Sequence, residues 1–131
     1  MLVDTSGLLC YFDKDDIRHT SAEAHFHEAP FLFTHSYVLA ELIPLCLSRG
    51  VGLRQALEAS SSVIENPGVD VVWVDESLHR RALGLLAERP DKTYSVCDAV
   101  SFLLMRDRAV TDALTTDRHF EQEGFVRLLS V

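Results

Sequence analysis

The sequence predicts an α/β fold, a three-layer α/β/α sandwich around a mainly parallel sheet. Three observations carry that prediction. Short apolar runs recur along the chain at Leu2-Val3, Phe31-Leu32-Phe33, Val71-Val72-Trp73-Val74 and Ala113-Leu114-Thr115. Stretches with helical spacing of apolar residues separate them. The runs are continuous rather than alternating, the pattern of strands covered on both faces.

Taken in order, Leu2-Val3 is a short strand that stops at Asp4, and Ser6-Gly7 leads into a helical turn over Leu8-Leu9-Cys10-Tyr11-Phe12. Asp13 to Asp16 is a polar loop. A helix is expected from Ile17 to Glu28 with Ala22, Phe26 and Ala29 on one face, ended by Pro30. After the strand at Phe31–Phe33, Thr34 to Ser36 supply residues suited to capping a helix from Tyr37 to Ser48, which Gly50 terminates. Pro44 lies inside that helix, removes the backbone bond to Ala40 and is expected to bend it beside Glu41. The next helix, Leu53 to Ile64, is read with Leu53, Ala56, Leu57 and Ile64 as its buried stripe. Asn66-Pro67-Gly68 is a turn, and Val69 to Val74 a buried strand that includes Trp73. Asp75 caps a helix to Glu88 with Leu78, Ala82, Leu85 and Leu86 inward. Ser95 caps an apolar helix from Val96 to Arg106. The strand Ala113–Thr115, a turn through His119-Phe120 and a last strand from Val126 to Leu129 complete the order β-α-α-β-α-α-β-α-α-β-β. The phenylalanines Phe26, Phe31 and Phe33 are expected in the core, and Tyr11 and Phe12 on a partner-facing patch.

The chain has 131 residues, 47% hydrophobic and 24% charged, which suits a single globular domain over residues 1–131. No apolar run reaches the roughly 18 residues of a membrane span, and the N-terminus lacks a basic region before an apolar one. Three cysteines, Cys10, Cys46 and Cys97, lie in apolar surroundings and read as buried reduced thiols of a cytoplasmic protein. The net charge of −8 argues against a simple electrostatic nucleic-acid binder. It leaves room for a nuclease, because bound cations invert the local field.

Four acids stand where chain punctuation places strand ends or helix starts: Asp4, Glu41, Asp98 and Asp117. Each has a structural explanation: Asp4 and Asp117 as caps of the turns that follow, Asp98 as the fourth residue of a capping box, Ser95-Val96-Cys97-Asp98, Glu41 as an exposed helix residue. Yet Asp98 and Glu41 sit among apolar neighbours, where a lone ion costs several kcal/mol unless paired or metal-bound. Two unit charges about 4 Å apart repel by roughly 4 kcal/mol at an effective dielectric of 20, so a cluster of four is tolerable around a divalent cation. An all-oxygen set without Cys-x-x-Cys or His-x-x-x-His spacing suits Mg2+ or Mn2+ rather than zinc.

Four segments in order, Val3-Asp4-Thr5-Ser6, Val38-Leu39-Ala40-Glu41-Leu42, Tyr94-Ser95-Val96-Cys97-Asp98-Ala99 and Leu114-Thr115-Thr116-Asp117-Arg118-His119-Phe120, span nearly the whole chain. In them the sequence resembles a PIN-domain ribonuclease of the kind found as toxins in toxin–antitoxin pairs. The resemblance implies an α/β/α sandwich and Asp4, Glu41, Asp98 and Asp117 as the catalytic acids. Asp4 and Asp98 are then direct metal ligands, Asp117 completes a second, weaker site, and Glu41 ligates or orients the attacking water. It implies endonucleolytic cleavage of RNA leaving a 5′-phosphate and a 3′-hydroxyl, an antitoxin protein as partner, and a homodimer. Ser6, Ser95 and Thr115 are candidate supporting hydroxyls beside the acids, and Arg118 and His119 candidate contacts to RNA. Two further readings remain: a PIN-fold RNA- or protein-binding domain that has lost turnover, and an aspartyl-phosphate phosphotransfer domain. The second fits poorly, because a dehalogenase-like site needs an Asp where Ser6 stands.

Overall fold

A computed structural model describes residues 1–130. The elements are β1 (Leu2–Val3), α1 (Thr5–Phe12), α2 (His19–Glu28), β2 (Leu32–His35), α3 (Ser36–Ser48), α4 (Leu53–Glu65), β3 (Val69–Val72), α5 (Glu76–Ala87), α6 (Val96–Asp107), β4 (Asp112–Leu114), α7 (Arg118–Gln122) and β5 (Val126–Arg127). The five strands form one sheet in the order β3-β2-β1-β4-β5, and every pairing is parallel. Alternate strand residues point to opposite faces. Val3, Leu32, Val69 and Leu114 therefore join the core under α1 to α4, while Leu2, Phe33 and Ala113 join the one under α5 to α7. The result is the expected three-layer sandwich.

The chain leaves β1 toward β2 and β3 on one side and returns to β4 and β5 on the other. Order reverses between β1 and β4, and in such sheets the crevice at the reversal, beyond the carboxyl ends of the strands, is where ligands bind. Asp4 follows β1 there and Asp117 follows β4. The two strands are locked in register by Leu2 opposite Ala113 and Val3 opposite Leu114, and by the Asp4 amide donating to the Leu114 carbonyl at 3.1 Å. Gly7 of α1 lies directly on β4: a Cβ there would stand 2.0 Å from the Leu114 carbonyl oxygen.

Several expectations are corrected. The buried stripe of α4 is Ala56, Ala59 and Val63, while Leu53, Leu57 and Ile64 are exposed. The small residues let α4 approach α3 closely, which turns the larger ones outward. β3 ends at Val72, and Trp73 is 63% exposed, because the chain there leaves the sheet for α5. The second strand begins at Leu32 and continues to His35, with Phe31 left 47% exposed at the sheet's amino edge. α2 starts at His19, and Ile17 is exposed. No side chain from Thr34 to Ser36 caps α3; the Thr34 hydroxyl donates to the Val3 carbonyl and Ser36 accepts from the Val74 amide. α3 runs through Pro44 without ending; the Ala40 carbonyl that loses its partner belongs to an exposed residue that water can reach. Tyr11, partly buried, stacks on Phe26 with ring centroids 4.0 Å apart. The last strand stops at Arg127. Cys10, Cys46 and Cys97 are free and buried as expected, and among the described residues no helix is long and apolar enough to cross a membrane.

One buried polar pair ties β2 to α6. His35 is fully buried, its Nε2 lies 2.8 Å from Ser101 Oγ, and its Nδ1 has no partner. Burial lowers its pKa from 6.5 to about 3. Between those values the unfolded chain takes up a proton that the folded chain excludes. The contribution of His35 to stability is therefore intact above pH 6.5 and is lost as pH falls toward 3. Relative to His35→Gln, the native protein is expected to lose stability by about 1.4 kcal/mol per pH unit across that window, read from urea unfolding at stepped pH. Gly7→Ala is expected to cost about 3 kcal/mol, the upper end for an overpacked site, because the atom it meets is backbone; the same unfolding assay at pH 7 reads it.

Candidate active site

Each acid reaches the carboxyl edge of the sheet by its own route. Asp4 is held where β1 turns into α1. It occupies the N-cap position of α1, yet its side chain makes no capping bond. Asp98 lies in the first turn of α6, where it closes the capping box expected from the sequence: the Asp98 amide donates to Ser95 Oγ and the Ser95 amide donates to Asp98 Oδ2, both at 3.0 Å. Asp117 caps α7 by accepting from the His119 amide at 2.9 Å. Glu41 comes from the second turn of α3 and stands at the rim, exposed as a residue while its carboxyl is partly enclosed by the cleft. All four line one open cleft of about 610 Å³. Pro44 and Leu45 of α3 form its apolar wall, and Thr93, Thr116 and His119 add polar edges.

A hydroxyl network holds the two strand-end acids. Thr115, fully buried, donates to Asp4 Oδ2 at 2.8 Å and accepts from the Asp117 amide at 3.0 Å. Ser6 Oγ lies 3.2 Å from the Thr115 hydroxyl and accepts from the Thr116 amide at 3.0 Å. Thr115 and Ser95 thus bond a carboxylate or the backbone that carries one, and Ser6 supports them through Thr115 and Thr116.

The cleft strains its charges. Asp4 is 6% exposed, and burial pushes its carboxyl up to about 7; the Thr115 hydroxyl opposes the rise and the Asp98 charge adds to it. Burial also raises Asp98, with Asp117 adding to the shift and the Ser95 amide and His119 opposing it. Glu41 is raised by burial first, then by Asp98, while the Cys97 thiol works against the rise. Cys97 itself is pushed far up by burial and by Asp4, Glu41 and Asp98, so it is a protonated, inert thiol beside the acids. No arginine or lysine lines this cleft among the described residues.

His119 lines the cleft beside the acids. Its Nδ1 lies 3.0 Å from Asp98 Oδ2 and 3.5 Å from Asp117 Oδ1, its Nε2 lies 3.2 Å from the Thr93 hydroxyl, and its ring meets Tyr94 edge-on. Ligand atoms of Asp98, Asp117 and His119 all lie within 4.8 Å of one another; Asp4 and Glu41 line the same cleft outside that triplet. Arg118 is exposed and does not line it. The place of His119 depends on a contact across 21 residues, which no local spacing signals; its position two residues into the turn after Asp117 was the one available hint.

A divalent cation fits this donor set. Oxygen ligands converge without a protein countercharge, and the buried hydroxyl of Thr5, a residue lining the same cleft, has no hydrogen-bond partner. Fold and site together define a parallel α/β protein with an acidic cleft at its switch point. The chain belongs to the PIN-domain family, whose pattern it matches over residues 1–125. It is similar to the 23S rRNA-specific endonuclease VapC20 of Mycobacterium tuberculosis, in the CDC 1551 / Oshkosh and the ATCC 25618 / H37Rv strains alike. Identity to each is 31% over 129 residues, covering 98% of this chain and 97% of that protein. The fold matches the crystal structure of Mycobacterium tuberculosis VapC20, a sarcin-ricin loop cleaving toxin, with a TM-score of 0.85 at 29% identity over 95% of each chain.

Thr115→Val leaves Asp4 without its hydroxyl donor and the Asp117 amide without its acceptor. It is expected to cost about 1–3 kcal/mol in urea unfolding, the penalty for stranding buried polar groups. Thr115→Ser, which keeps the hydroxyl, is expected to recover most of the loss.

Proposed function

We propose that this protein is a metal-dependent endoribonuclease, the toxin of a toxin–antitoxin pair. The observation that carries the reading is the convergence of Asp4, Glu41, Asp98 and Asp117 on one cleft with no arginine or lysine among its lining residues. Similarity to VapC20, a 23S rRNA-specific endonuclease, supports RNA as the substrate and the sarcin-ricin loop as the first sequence to try.

Asp4, Asp98 and Asp117 hold the cation, Mg2+ or Mn2+. A bound divalent ion lowers the pKa of a ligated water and neutralises charge on the phosphodiester. Thr115 and Ser6 keep Asp4 and the Asp117 backbone fixed, so the carboxylates arrive pre-aligned. Glu41, at the rim, orients the attacking water and accepts its proton; the rise in its carboxyl pKa favours that role. Water oxygen bonds to phosphorus as the bond from phosphorus to the 3′-oxygen breaks, and the departing oxygen takes up a proton, giving a 5′-phosphate and a 3′-hydroxyl. Arg118, exposed beside the cleft, contacts the RNA backbone. Leu53, Leu57 and Ile64, exposed along α4, offer an apolar face to the antitoxin or to a second copy in a homodimer.

The test is cleavage of a synthetic sarcin-ricin loop RNA by purified protein in Mg2+, in Mn2+ and in EDTA. Cleavage is expected with either cation and absent with chelator; RNA left intact under every divalent salt overturns the reading and favours a silent binding domain. Asp98→Asn is expected to lower the rate on the order of 10²-fold or more, the scale for removing one electrostatic group from a reacting centre. Its melting temperature in EDTA is expected to stay level or rise, because like-charge repulsion is relieved while the amide oxygen can still accept from Ser95. A residue that served only as a cap would show the reverse: full activity and a penalty of up to about 1 kcal/mol.

A further inference from the structure

We infer that His119 is a protein ligand of the cation, through Nδ1, and that the site consequently selects Mn2+ over Mg2+. The inference rests on the metal-dependent reading above and adds a nitrogen to what the sequence presents as an all-oxygen set. Adjacent ligands on an octahedral ion with bonds of about 2.1 Å stand about 3.0 Å apart, and His119 Nδ1 lies 3.0 Å from Asp98 Oδ2 and 3.5 Å from Asp117 Oδ1. The cation would replace the close contact between His119 Nδ1 and Asp98 Oδ2.

The other side of the ring is built for this. Nε2 lies 3.2 Å from the Thr93 hydroxyl. With the ring proton on Nε2 and donated to Thr93 Oγ, the Nδ1 lone pair is left facing the two carboxylates, the arrangement by which an outer hydrogen bond fixes the tautomer of a ligating histidine. Tyr94, itself buried, packs edge-on against the ring with centroids 5.2 Å apart and limits its rotation. The buried, unpartnered Thr5 hydroxyl among the lining residues is a second and independent sign that the cleft is completed by a guest. Imidazole suits first-row transition ions, whereas Mg2+ keeps to oxygen and its own waters, so the nitrogen tilts the choice to Mn2+.

The test is pulsed electron paramagnetic resonance of the intact protein loaded with Mn2+, beside calorimetric titration with Mn2+ and with Mg2+. The native protein is expected to show 14N modulation from a directly bound nitrogen, and His119→Ala is expected to lose it. The same substitution is expected to weaken Mn2+ about tenfold and Mg2+ by less than about twofold. Thr93→Val, which keeps the imidazole but frees the ring, is expected to retain the nitrogen signal with weaker Mn2+ binding. Mn2+ bound without nitrogen modulation in the native protein, or modulation that persists in His119→Ala, overturns the inference and leaves the nuclease reading standing. A native protein that binds neither ion overturns the metal site itself, and the inference with it.

Discussion

Two strands of two and three residues, Leu2–Val3 and Asp112–Leu114, hold the middle of this molecule, and Gly7 lets α1 lie against the end of the second. Strands this short have few ladder bonds of their own. They persist because both faces are covered, with Val3 and Leu114 under one helical layer and Leu2 and Ala113 under the other. Everything at the cleft inherits its position from that pairing. Asp4 begins where β1 stops, Thr115 begins where β4 stops, and the hydroxyl of the second can bond the carboxylate of the first only while the strands stay in register.

The same pairing gathers negative charge at a place that removes it from water. Asp4 and Asp98 are both pushed toward protonation by burial and by neighbouring acids. What offsets the cost within the chain is modest: one hydroxyl on Asp4, one amide and one imidazole on Asp98. A buried carboxylate elsewhere is paired with two guanidiniums. Glu123, with its side chain 4% exposed, receives both Arg89 and Arg106. A chain that satisfies one buried carboxylate with two guanidiniums and leaves another group without any has separated scaffold from site by charge alone.

Much of this was legible from residues. The strand runs that end at Asp4 and Asp117, the capping box at Ser95 and the shared edge of the four acids all rest on local patterns of apolarity and punctuation, and these the fold keeps. Large apolar side chains suggest burial at Leu53, Leu57 and Ile64, yet α4 packs through Ala56, Ala59 and Val63; Trp73 is exposed because the chain has already left β3 there. Size is a poor guide when two helices compete for space above a short sheet. The contacts of His119 were not legible, because its partners Thr93 and Asp98 come from a different part of the chain and no periodicity reports a contact of that kind.

On the nuclease reading proposed above, a cleft lined by carboxylates has a thermodynamic corollary. Empty, it would repel phosphates; filled with a cation, it would attract them. The two guests therefore recruit each other, and linkage requires that whatever factor the ion lends to RNA binding, RNA returns to the ion. On that reading, protein engaged on RNA would retain its metal at supplies too low to charge the idle molecule, so that loading would be concentrated on the fraction of the population bound to RNA.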